Sequence, residues 1–578
     1  MSTKENTKSY KNLDGFGGLD TSSPIGEGRI VALKNFKQLA DGSVVKRGGF
    51  KLLASFENEI RGEIAYVEDG EEIILFAVGN KLCKVSVETG EMLSAECFRK
   101  TEGKICFFEF RGVLYAIEDG VFYQYKGKAT VSQIKAYAPL FTYSENYNSY
   151  KCKYVEPLNM LSPTIRLQFV CDGYTFPFLL SKIKLESVDA MYINGRIIDK
   201  DLYELEEDGL TIFCGNRINA EVGETVTVYA TVYGGANRSS DLESCNKASV
   251  FDSFSDSRVF LYGGNNENRF YVTEPVDKTE LSDQTEAYGE EILPLYLPKG
   301  EGIRFGGMEK INAMCRFYDR MLIFTKQRVF ATEDLSEKKD GQGIVLDVRS
   351  YTVGCSSDNA VRQIDGVTPI SVSYGGIYKW DLDRNFNEEF VIKKMSKEID
   401  SLISKPFFEN ARVCYNRNDE EVWFALYDTG EVLVYNTSLK LWYTYTGIFA
   451  QRFIETSMGI AFVDGKDVYI FDGGECDLTK DGVRHIEAYL ESAFWCFTSP
   501  KSKKHLSGLY LTCELDGGSI TATLDDGEIL DVSTLEGNEP IEFFDLRIRS
   551  PRTNKVKFKL SAGGLSKQRI YGVNLLTD

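Results

Sequence analysis

The stretch LFAVGNKLCKV at residues 75–85 decides the fold of this 578-residue chain. Four apolar residues precede Gly79-Asn80 and a second apolar run follows, which is the pattern of two antiparallel strands joined by a tight turn. Glycine and asparagine suit such a turn because they tolerate the positive φ that it requires. The pattern recurs as YAIEDGVFYQY from Tyr115, VFLYGGNNENRFYV from Val259, IFTKQRVFA from Ile323, VSVSYGGIYKW from Val372, WFALYDTGEVLVY from Trp423 and AFVDGKDVYIF from Ala461.

The spacing of these hairpins predicts the architecture. Successive hairpins start 38 to 64 residues apart, except for one gap of 144 residues. Repeats of about 40–60 residues built from hairpins are typical of β-propellers, in which each blade is a four-stranded sheet. One blade cannot bury both of its faces, whereas a radial arrangement of blades buries them and leaves only short edges. We therefore predict an all-β fold, a β-propeller with six or seven blades.

The long gap predicts an inserted domain. Between Leu161 and Tyr233 apolar residues alternate with polar ones and turn signals recur, among them Ile193-Asn194-Gly195-Arg196, which indicates a small β-sandwich or barrel. Strand-like runs continue after Pro500. The predicted organisation is an N-terminal segment closing onto the propeller (1–50), a first part of the propeller (51–145), the inserted β-sandwich or barrel (146–238), a second part of the propeller (239–500) and a C-terminal β region (501–578).

The net charge of the chain argues against tight binding to DNA. The formal net charge is −19, and all of it lies in residues 1–500, since residues 501–578 carry 11 Lys+Arg and 11 Asp+Glu. A protein that grips DNA needs a surplus of cations to neutralise phosphates. The acidic balance fits a wall past which DNA slides, and it equally fits a surface charged only for solubility.

A basic run near the C-terminus is the candidate interface. In VKFKL and its flanks, Lys555, Lys557 and Lys559 alternate with apolar residues, so a strand places the three cations on one face. A solvated or salt-bridged face is the default interpretation of these lysines, contact with an acidic neighbouring subunit is the next, and contact with DNA is the third. The cluster Lys501, Lys503 and Lys504 is interpreted in the same way.

Few residues are suited to nucleophilic or metal chemistry. His485 and His505 are the only histidines, and the thirteen cysteines contain no C-x-x-C pair. A Ser-His-Asp, Cys-His or zinc site therefore has little to be built from. We predict that the chain is not an enzyme and has no catalytic, metal-binding or cofactor-binding residues.

Three kinds of acidic or glycine-rich motif are predicted to have no catalytic, calcium-binding or nucleotide-binding role. The adjacent pairs Glu420-Glu421 and Asp525-Asp526 are predicted to be solvated turn acids rather than the paired carboxylates of a glycosidase. Asp477 and Asp481-Gly482 lack the spacing of a calcium loop. The stretch GFGG at 15–18 lacks the third glycine of a dinucleotide loop and is predicted to be a flexible or turn segment.

The N-terminal residues carry a resemblance to a known family. LKNF at 33–36 followed by DGSVVKRGGF at 41–50 resembles the opening of phage tail-nozzle and packaged-DNA-stabilization proteins. Further similar segments follow in the same order and extend the resemblance from about residue 12 to about residue 530: FSDSRVFL (254–261), MLIFTK (321–326), YNRNDEEVWF (415–424), VYN (434–436), KLWY (440–443), IEAYLES (486–492) and KHLSGLYL (504–511). The matching positions of the opening motif are Asn35, Asp41, Gly42, Lys46, Arg47 and Gly49.

The resemblance implies a structural role in a virion. Proteins of this kind form a ring below the portal and its adaptor, which extends the DNA channel and retains packaged DNA until ejection. The resemblance implies a homo-oligomer, a hexamer, whose partners are portal or adaptor proteins, tail or fibre proteins, and DNA that passes without sequence-specific binding. The polar residues 1–12 are not typical of a secretion signal and no apolar run has membrane-spanning length, so we expect folding in the bacterial cytoplasm, location in the neck or tail, and no stable membrane insertion.

Two alternatives use the same fold. A glycan-binding propeller would recognise a receptor, with an aromatic such as Trp380 or Trp442 stacking on sugars, although core positions are the default for both residues. A polysaccharide-degrading propeller enzyme is the other alternative.

Overall fold

Seven blades make up most of the fold. The computed structural model describes residues 9–13, 16–22, 29–145, 152–171, 178–214, 218, 220–235, 240–252, 257–300, 303–304, 309–335, 344–357, 359–383, 389–403, 409–496, 503–515, 517–535, 542–547, 550–564 and 568–577. Blade 1 consists of Ile60–Glu68, Glu71–Val78, Lys81–Ser86 and Met92–Glu96. Blade 2 consists of Cys106–Phe110, Val113–Glu118, Val121–Gly127 and Thr130–Gln133. Blade 3 consists of Lys247–Asp252, Ser257–Tyr262, Arg269–Val272 and Ile303–Arg304.

Blades 4 to 7 complete the circle, and an N-terminal strand closes it. Blade 4 consists of Ala313–Phe317, Arg320–Phe324, Val329–Thr332 and Leu346–Ser350. Blade 5 consists of Val361–Ile364, Thr368–Ser373, Gly376–Asp383 and Glu389–Lys394. Blade 6 consists of Ala411–Asn416, Glu421–Leu426, Glu431–Asn436 and Leu441–Thr446. Blade 7 consists of Arg452–Thr456, Gly459–Asp464 and Asp467–Gly474, with Gly49–Ser55 as its fourth strand and the short strands Asp477–Thr479 and Gly482–Arg484 beyond it.

The radial symmetry confirms the predicted propeller. The first strands of successive blades pack side by side, and the first strand of blade 7 packs against that of blade 1. Each of the seven predicted hairpins forms the second and third strands of one blade. In blade 2 the turn between them is Asp119-Gly120, whose φ angles of 46° and 72° match the positive φ expected there.

The apolar runs of the hairpins become the core because the middle strands of a blade are covered on both faces. Ile73 to Ala77 in blade 1 are all fully buried, although their side chains point alternately to the two sides of the sheet. Neighbouring blades supply the cover on each side. A continuous apolar run therefore marks the middle of a blade, and the alternating pattern marks sheets with one solvated face.

The inserted domain is a two-sheet sandwich. One sheet has the order Lys153–Tyr154, Leu140–Ser144, Thr164–Val170, Thr225–Val232, Leu185–Ile193 and Arg196–Ile197, and the other has the order Phe178–Leu180, Thr211–Cys214 and Tyr203–Leu205. Leu167, Met191, Val228 and Ile212 share its core. Strand Leu140–Ser144 lies before the predicted boundary at 146 and belongs to this sandwich, since an apolar run does not reveal which sheet it will join.

A helix of blade 3 holds the inserted domain on the propeller. Helix Lys278–Tyr288 begins at the cap Asp277 and ends at Gly289, whose φ is 64°. The side chain of Gln284 donates to the Ala138 carbonyl and accepts from its N–H, at 2.9 and 2.8 Å. The remaining short elements are the strands Lys135–Ala136 and Ile292–Leu293, helix Ser240–Glu243 and the 3-10 turns Lys200–Leu202, Tyr233–Gly235 and Lys397–Leu402. Among the residues listed above as described, no helix combines the length and apolar composition needed to cross a bilayer.

A second sandwich joins the two ends of the chain. One of its sheets contains Phe36–Gln38, Val44–Lys46, Arg569–Thr577, Lys504–Glu514 and Glu542–Arg547, with Ser9–Leu13 and Arg552–Thr553 at its margins. Its other sheet continues blade 6 outward from Leu441–Thr446 through Ile30–Lys34, Ala488–Ser492, Lys555–Ala562, Gly518–Leu524 and Ile529–Leu535, with Trp495–Cys496 alongside. Within the predicted N-terminal segment 1–50, only the start of Gly49–Ser55 enters blade 7, and the strands before Gly49 belong to this C-terminal sandwich.

Candidate functional site

The residues of the opening motif meet where blades 6 and 7 and the C-terminal sandwich join. Asn35 adopts a φ of 55°, a left-handed conformation that asparagine tolerates. Its Nδ2 donates to the Thr446 hydroxyl at 2.9 Å and to the Glu487 carbonyl at 2.7 Å, and its Oδ1 accepts the Thr446 N–H at 2.8 Å. Asn35 thus ties the N-terminal segment to blade 6 and to the sandwich.

A buried ion pair lies at the centre of the same junction. The Arg47 guanidinium makes two parallel 2.9 Å bonds to the two carboxylate oxygens of Asp477, and the two side chains are 2% and 1% exposed. The other three N–H donors of Arg47 reach Asn35 Oδ1 and the carbonyls of Gly48 and Thr446, so all five donors are used. We call Asn35, Arg47, Gly49, Thr446 and Asp477 the clasp.

Gly49 allows the chain to pass close to blade 7. A Cβ atom at this position would lie 1.9 Å from the Cys476 carbonyl oxygen, so no other residue fits without a backbone shift. The remaining motif residues support the turn that leads into the clasp. Gly42 has a φ of 86°, Asp41 accepts from the Ser43 N–H at 3.0 Å and pairs with Arg569, and Lys46 donates to the Gly564 carbonyl at 3.3 Å.

Asp477 is a structural acceptor. Besides Arg47, it accepts a 2.9 Å bond from Arg484. No local pattern in the sequence pairs Asp477 with Arg47, which lies 430 positions away. In the part of the chain that the structure describes, no cluster of three or more His, Cys, Asp or Glu side chains has the arrangement of a metal site.

A cleft of about 560 Å³ opens beside the clasp, between the N-terminal segment and blades 6 and 7. Lys37 pairs with Asp419 at 2.7 Å, and Asn418 donates to the Ser457 carbonyl at 3.0 Å. Trp423, Tyr445 and Phe471 are among its apolar lining residues. The polar groups of the cleft therefore brace its walls against each other.

Glu421 lies buried next to this cleft. The Trp423 indole N–H donates to Oε2 at 2.8 Å, and the Tyr443 hydroxyl donates to Oε1 at 2.7 Å. Burial raises the pKa of Glu421 to about 7; the nearby cation Lys37 opposes the rise and the carboxylate of Asp419 adds to it. The predicted solvated turn acid is therefore wrong for Glu421, because the carboxyl points into blade 6.

The other paired acids are turn residues. Glu420 has a φ of 54° and accepts from the Ser438 hydroxyl at the surface. Asp525 accepts from the Thr553 hydroxyl at 2.9 Å, which lowers the pKa of this solvated carboxyl, and Asp526 caps the following turn. Glu420, Asp525 and Asp526 are therefore turn acids as predicted, whereas Glu421 is buried.

The basic strand has the predicted alternation. Val556, Phe558 and Leu560 of strand Lys555–Ala562 are buried, and the lysines between them share the outer face of the sandwich. Lys555 lies over the Phe494 ring at 4.4 Å and Lys559 over the Tyr489 ring at 4.5 Å, whereas Lys557 pairs with Glu491. Lys503 is exposed and Lys504 is half-buried at the start of a strand, while Lys501 lies outside the described residues.

Other candidate residues take ordinary structural positions. Trp380 and Trp442 are fully buried in the core, so neither can stack on a sugar. Both histidines are exposed. In the stretch predicted to be a flexible or turn segment, Phe16 is fully buried and Gly18 has a φ of 73°, which suits a turn; Gly15 lies outside the described residues.

Polar contacts join the first strands of blades 5, 6, 7 and 1. Arg452 of blade 7 pairs with Glu63 of blade 1 at 2.9 Å. Arg362 of blade 5 reaches Glu455 of blade 7 at 2.6 Å, and Glu455 also accepts the Tyr415 N–H of blade 6 at 2.9 Å. These contacts link the four blades to one another through their first strands.

The comparisons with known proteins give remote similarities. No family profile and no curated protein matches the chain. It is similar to the solved structure of U3-55K (10% identity over 73% of this chain and 98% of that one, TM-score 0.34) and to a streptogramin B lyase (7%, 73% and 97%, TM-score 0.36). It is also similar to PorZ of Porphyromonas gingivalis, a bacterial surface component of the type-IX secretion system (10%, 86% and 46%, TM-score 0.31). The fold assignment rests on the strand pairing described above.

Proposed function

We propose that this chain is a structural, non-catalytic protein of a bacteriophage virion, present as a ring of identical copies in the neck or tail. The ring, a hexamer, continues the DNA channel below the portal and adaptor and retains packaged DNA until ejection. The observation that carries the proposal is the clasp. The residues by which the sequence resembles phage tail-nozzle proteins join the propeller, the N-terminal segment and the C-terminal sandwich at one buried junction.

Such a junction suits a scaffold under force. The sheet of blade 6 continues into the sandwich as one ten-stranded sheet, so the two bodies share backbone hydrogen bonds. The buried Arg47–Asp477 pair fixes the same boundary, and removing Asp477 would leave the buried Arg47 guanidinium without its carboxylate partner. The chain therefore behaves as one stiff unit, which is the property that a retaining ring needs.

The DNA channel in this proposal runs between the copies. Arg362, Glu455 and the Tyr415 N–H join the first strands of blades 5, 7 and 6 within one propeller, and the proposed channel is the lumen of the ring of copies. Six copies with a net charge of −19 each carry 6 × 19 = 114 formal negative charges. A lumen with part of that charge repels phosphates and leaves the sequence of the DNA unread.

Electron microscopy tests the proposal directly. Class averages of the purified chain, and of phage particles decorated with antibodies raised against it, are expected to show a sixfold ring at the neck or tail. Another ring symmetry would correct the stoichiometry. Failure of the antibody to label the particle, or turnover of bacterial surface polysaccharide by the chain, would refute the virion scaffold.

DNA binding provides a second test. Fluorescence anisotropy with a labelled duplex is expected to give weak binding at physiological salt, because the acidic chain gains little from counterion release. Tight binding that falls steeply with added salt would contradict the sliding channel. A basic DNA-binding protein of similar size serves as the positive control.

A further inference from the structure

One face of the C-terminal sandwich concentrates cations on an otherwise acidic chain. Its outer surface carries Lys34, Lys555, Lys557 and Lys559, which contact the rings of Tyr489 and Phe494 at 4.4 to 5.7 Å. We call these four lysines and two aromatic residues the lysine face. Stacking against the rings holds the ammonium groups in a row while leaving Lys559 exposed.

The outer strand of blade 1 has the complementary character. Strand Met92–Glu96 pairs on one side with Lys81–Ser86 and forms the margin of its sheet. Met92 and Leu93 are 54% and 50% exposed, and the exposed acids Glu88, Glu91 and Glu96 flank them in the sequence. Sheet margins are commonly protected by lysine or proline, whereas this margin presents apolar and acidic groups. We call residues 88–96 the acidic edge.

We propose that the lysine face of one copy docks on the acidic edge of the next copy, a contact that rests on the proposed ring function. Opposite charge and exposed apolar groups on both surfaces favour this pairing over contact between like surfaces. The sandwich extends outward from blade 6, whereas the acidic edge belongs to blade 1, so the two surfaces are separate patches of one chain. A contact between two different surfaces is heterologous and propagates from copy to copy until the ring closes.

Charge reversal tests the contact. Lys555→Glu/Lys559→Glu reverses the two lysines that lie at 4.4 and 4.5 Å over the rings of Phe494 and Tyr489, and Lys557 keeps its pair with Glu491. Glu91→Lys/Glu96→Lys reverses the acidic edge. Each double variant is expected to weaken ring assembly about tenfold or more by mass photometry, and mixing the two variants is expected to give pairs that associate through the reversed charges.

Further measurements check that the variants fold and that the two surfaces touch each other in the ring. Lys200→Glu, an exposed reversal in the inserted domain, is the matched control and is expected to assemble as the unaltered chain does. Thermal unfolding shows whether each variant folds. Zero-length crosslinking of mixed light and heavy isotope-labelled copies is expected to join Lys555 or Lys559 of one copy to Glu91 or Glu96 of another.

The outcomes separate this contact from the ring itself. Rings that form equally well in all variants, or crosslinks that join other surfaces, overturn the contact and leave the ring function standing. An unaltered chain that stays monomeric at every concentration and in the particle overturns both. Assembly lost in each double variant and regained on mixing supports the contact.

Discussion

Replacement of Glu421 by glutamine should remove a pH dependence from the stability of blade 6. A difference of one in pKa corresponds to about 1.4 kcal/mol, so the rise from 4.5 to about 7 is worth about 3 kcal/mol. The folded-state pKa lies above that of the unfolded chain. The stabilisation is therefore fully present below about pH 4.5 and is lost as the pH rises through about 7. Between about pH 5.5 and about pH 8.5 the loss is about 2 kcal/mol.

Glutamine suits the site because it imitates the neutral acid. Its Oε1 can accept the Trp423 N–H, and its amide can donate to the Tyr443 oxygen, which replaces both bonds of the carboxyl. The variant should keep the low-pH stability of blade 6 across the whole range. Glu421→Ala, in contrast, leaves both buried partners without an acceptor and should cost about 2–4 kcal/mol at low pH, a cost that shrinks as the ionised carboxyl destabilises the unaltered chain at higher pH.

Hydrogen exchange of the peptide that contains residues 421–426 measures this effect. A local measurement is preferable because a multidomain chain does not unfold in one step. After correction for the intrinsic pH dependence of exchange, the opening free energy should fall with rising pH in the unaltered chain and in the surface control Glu420→Gln, and stay flat in Glu421→Gln. A flat profile in the unaltered chain would show that Glu421 is ionised or solvated throughout, which would refute the reasoning.

Three further substitutions test the clasp and the inserted domain. Arg47→Met removes the two-bond partner of the buried Asp477 carboxylate, which keeps only Arg484, and should cost about 2–4 kcal/mol, seen as faster proteolysis between propeller and sandwich. Gly49→Ala forces a backbone shift at Cys476 and should lower the thermal unfolding temperature, at a cost of about 1–3 kcal/mol. Gln284→Ala removes both partners of the buried Ala138 backbone and should speed hydrogen exchange there, at a cost of about 1–3 kcal/mol.

Matched changes serve as controls for these three. Lys51→Met breaks an exposed pair with Asp472 and should have little effect. Gly300→Ala is the control for Gly49→Ala, because its added Cβ atom has only one described atom within 4 Å. Asp283→Ala is the control for Gln284→Ala, because it changes an exposed position on the same helix. Equal effects of a control and its partner would show that the buried contacts contribute nothing special.

Local physics is enough to reveal the repeat from the sequence. A turn with two positive φ angles needs residues such as Asp119-Gly120, and the short apolar runs beside it are typical of strands with both faces covered. The alternation of Lys555, Lys557 and Lys559 likewise defines one face as soon as the run is a strand. These features depend on neighbours within a few positions, which is why the sequence alone determined the propeller and its seven hairpins.

Only the tertiary structure decided which distant segments join one sheet or form an ion pair. Arg47 meets Asp477 across 430 positions, and strand Val44–Lys46 joins a sheet with Arg569–Thr577. Glu421 has the local sequence of a turn acid, yet the packing of blade 6 takes it out of water and raises its pKa. Pairing between remote strands and the burial of a single carboxyl depend on what the rest of the chain brings beside them, and no local pattern carries that information.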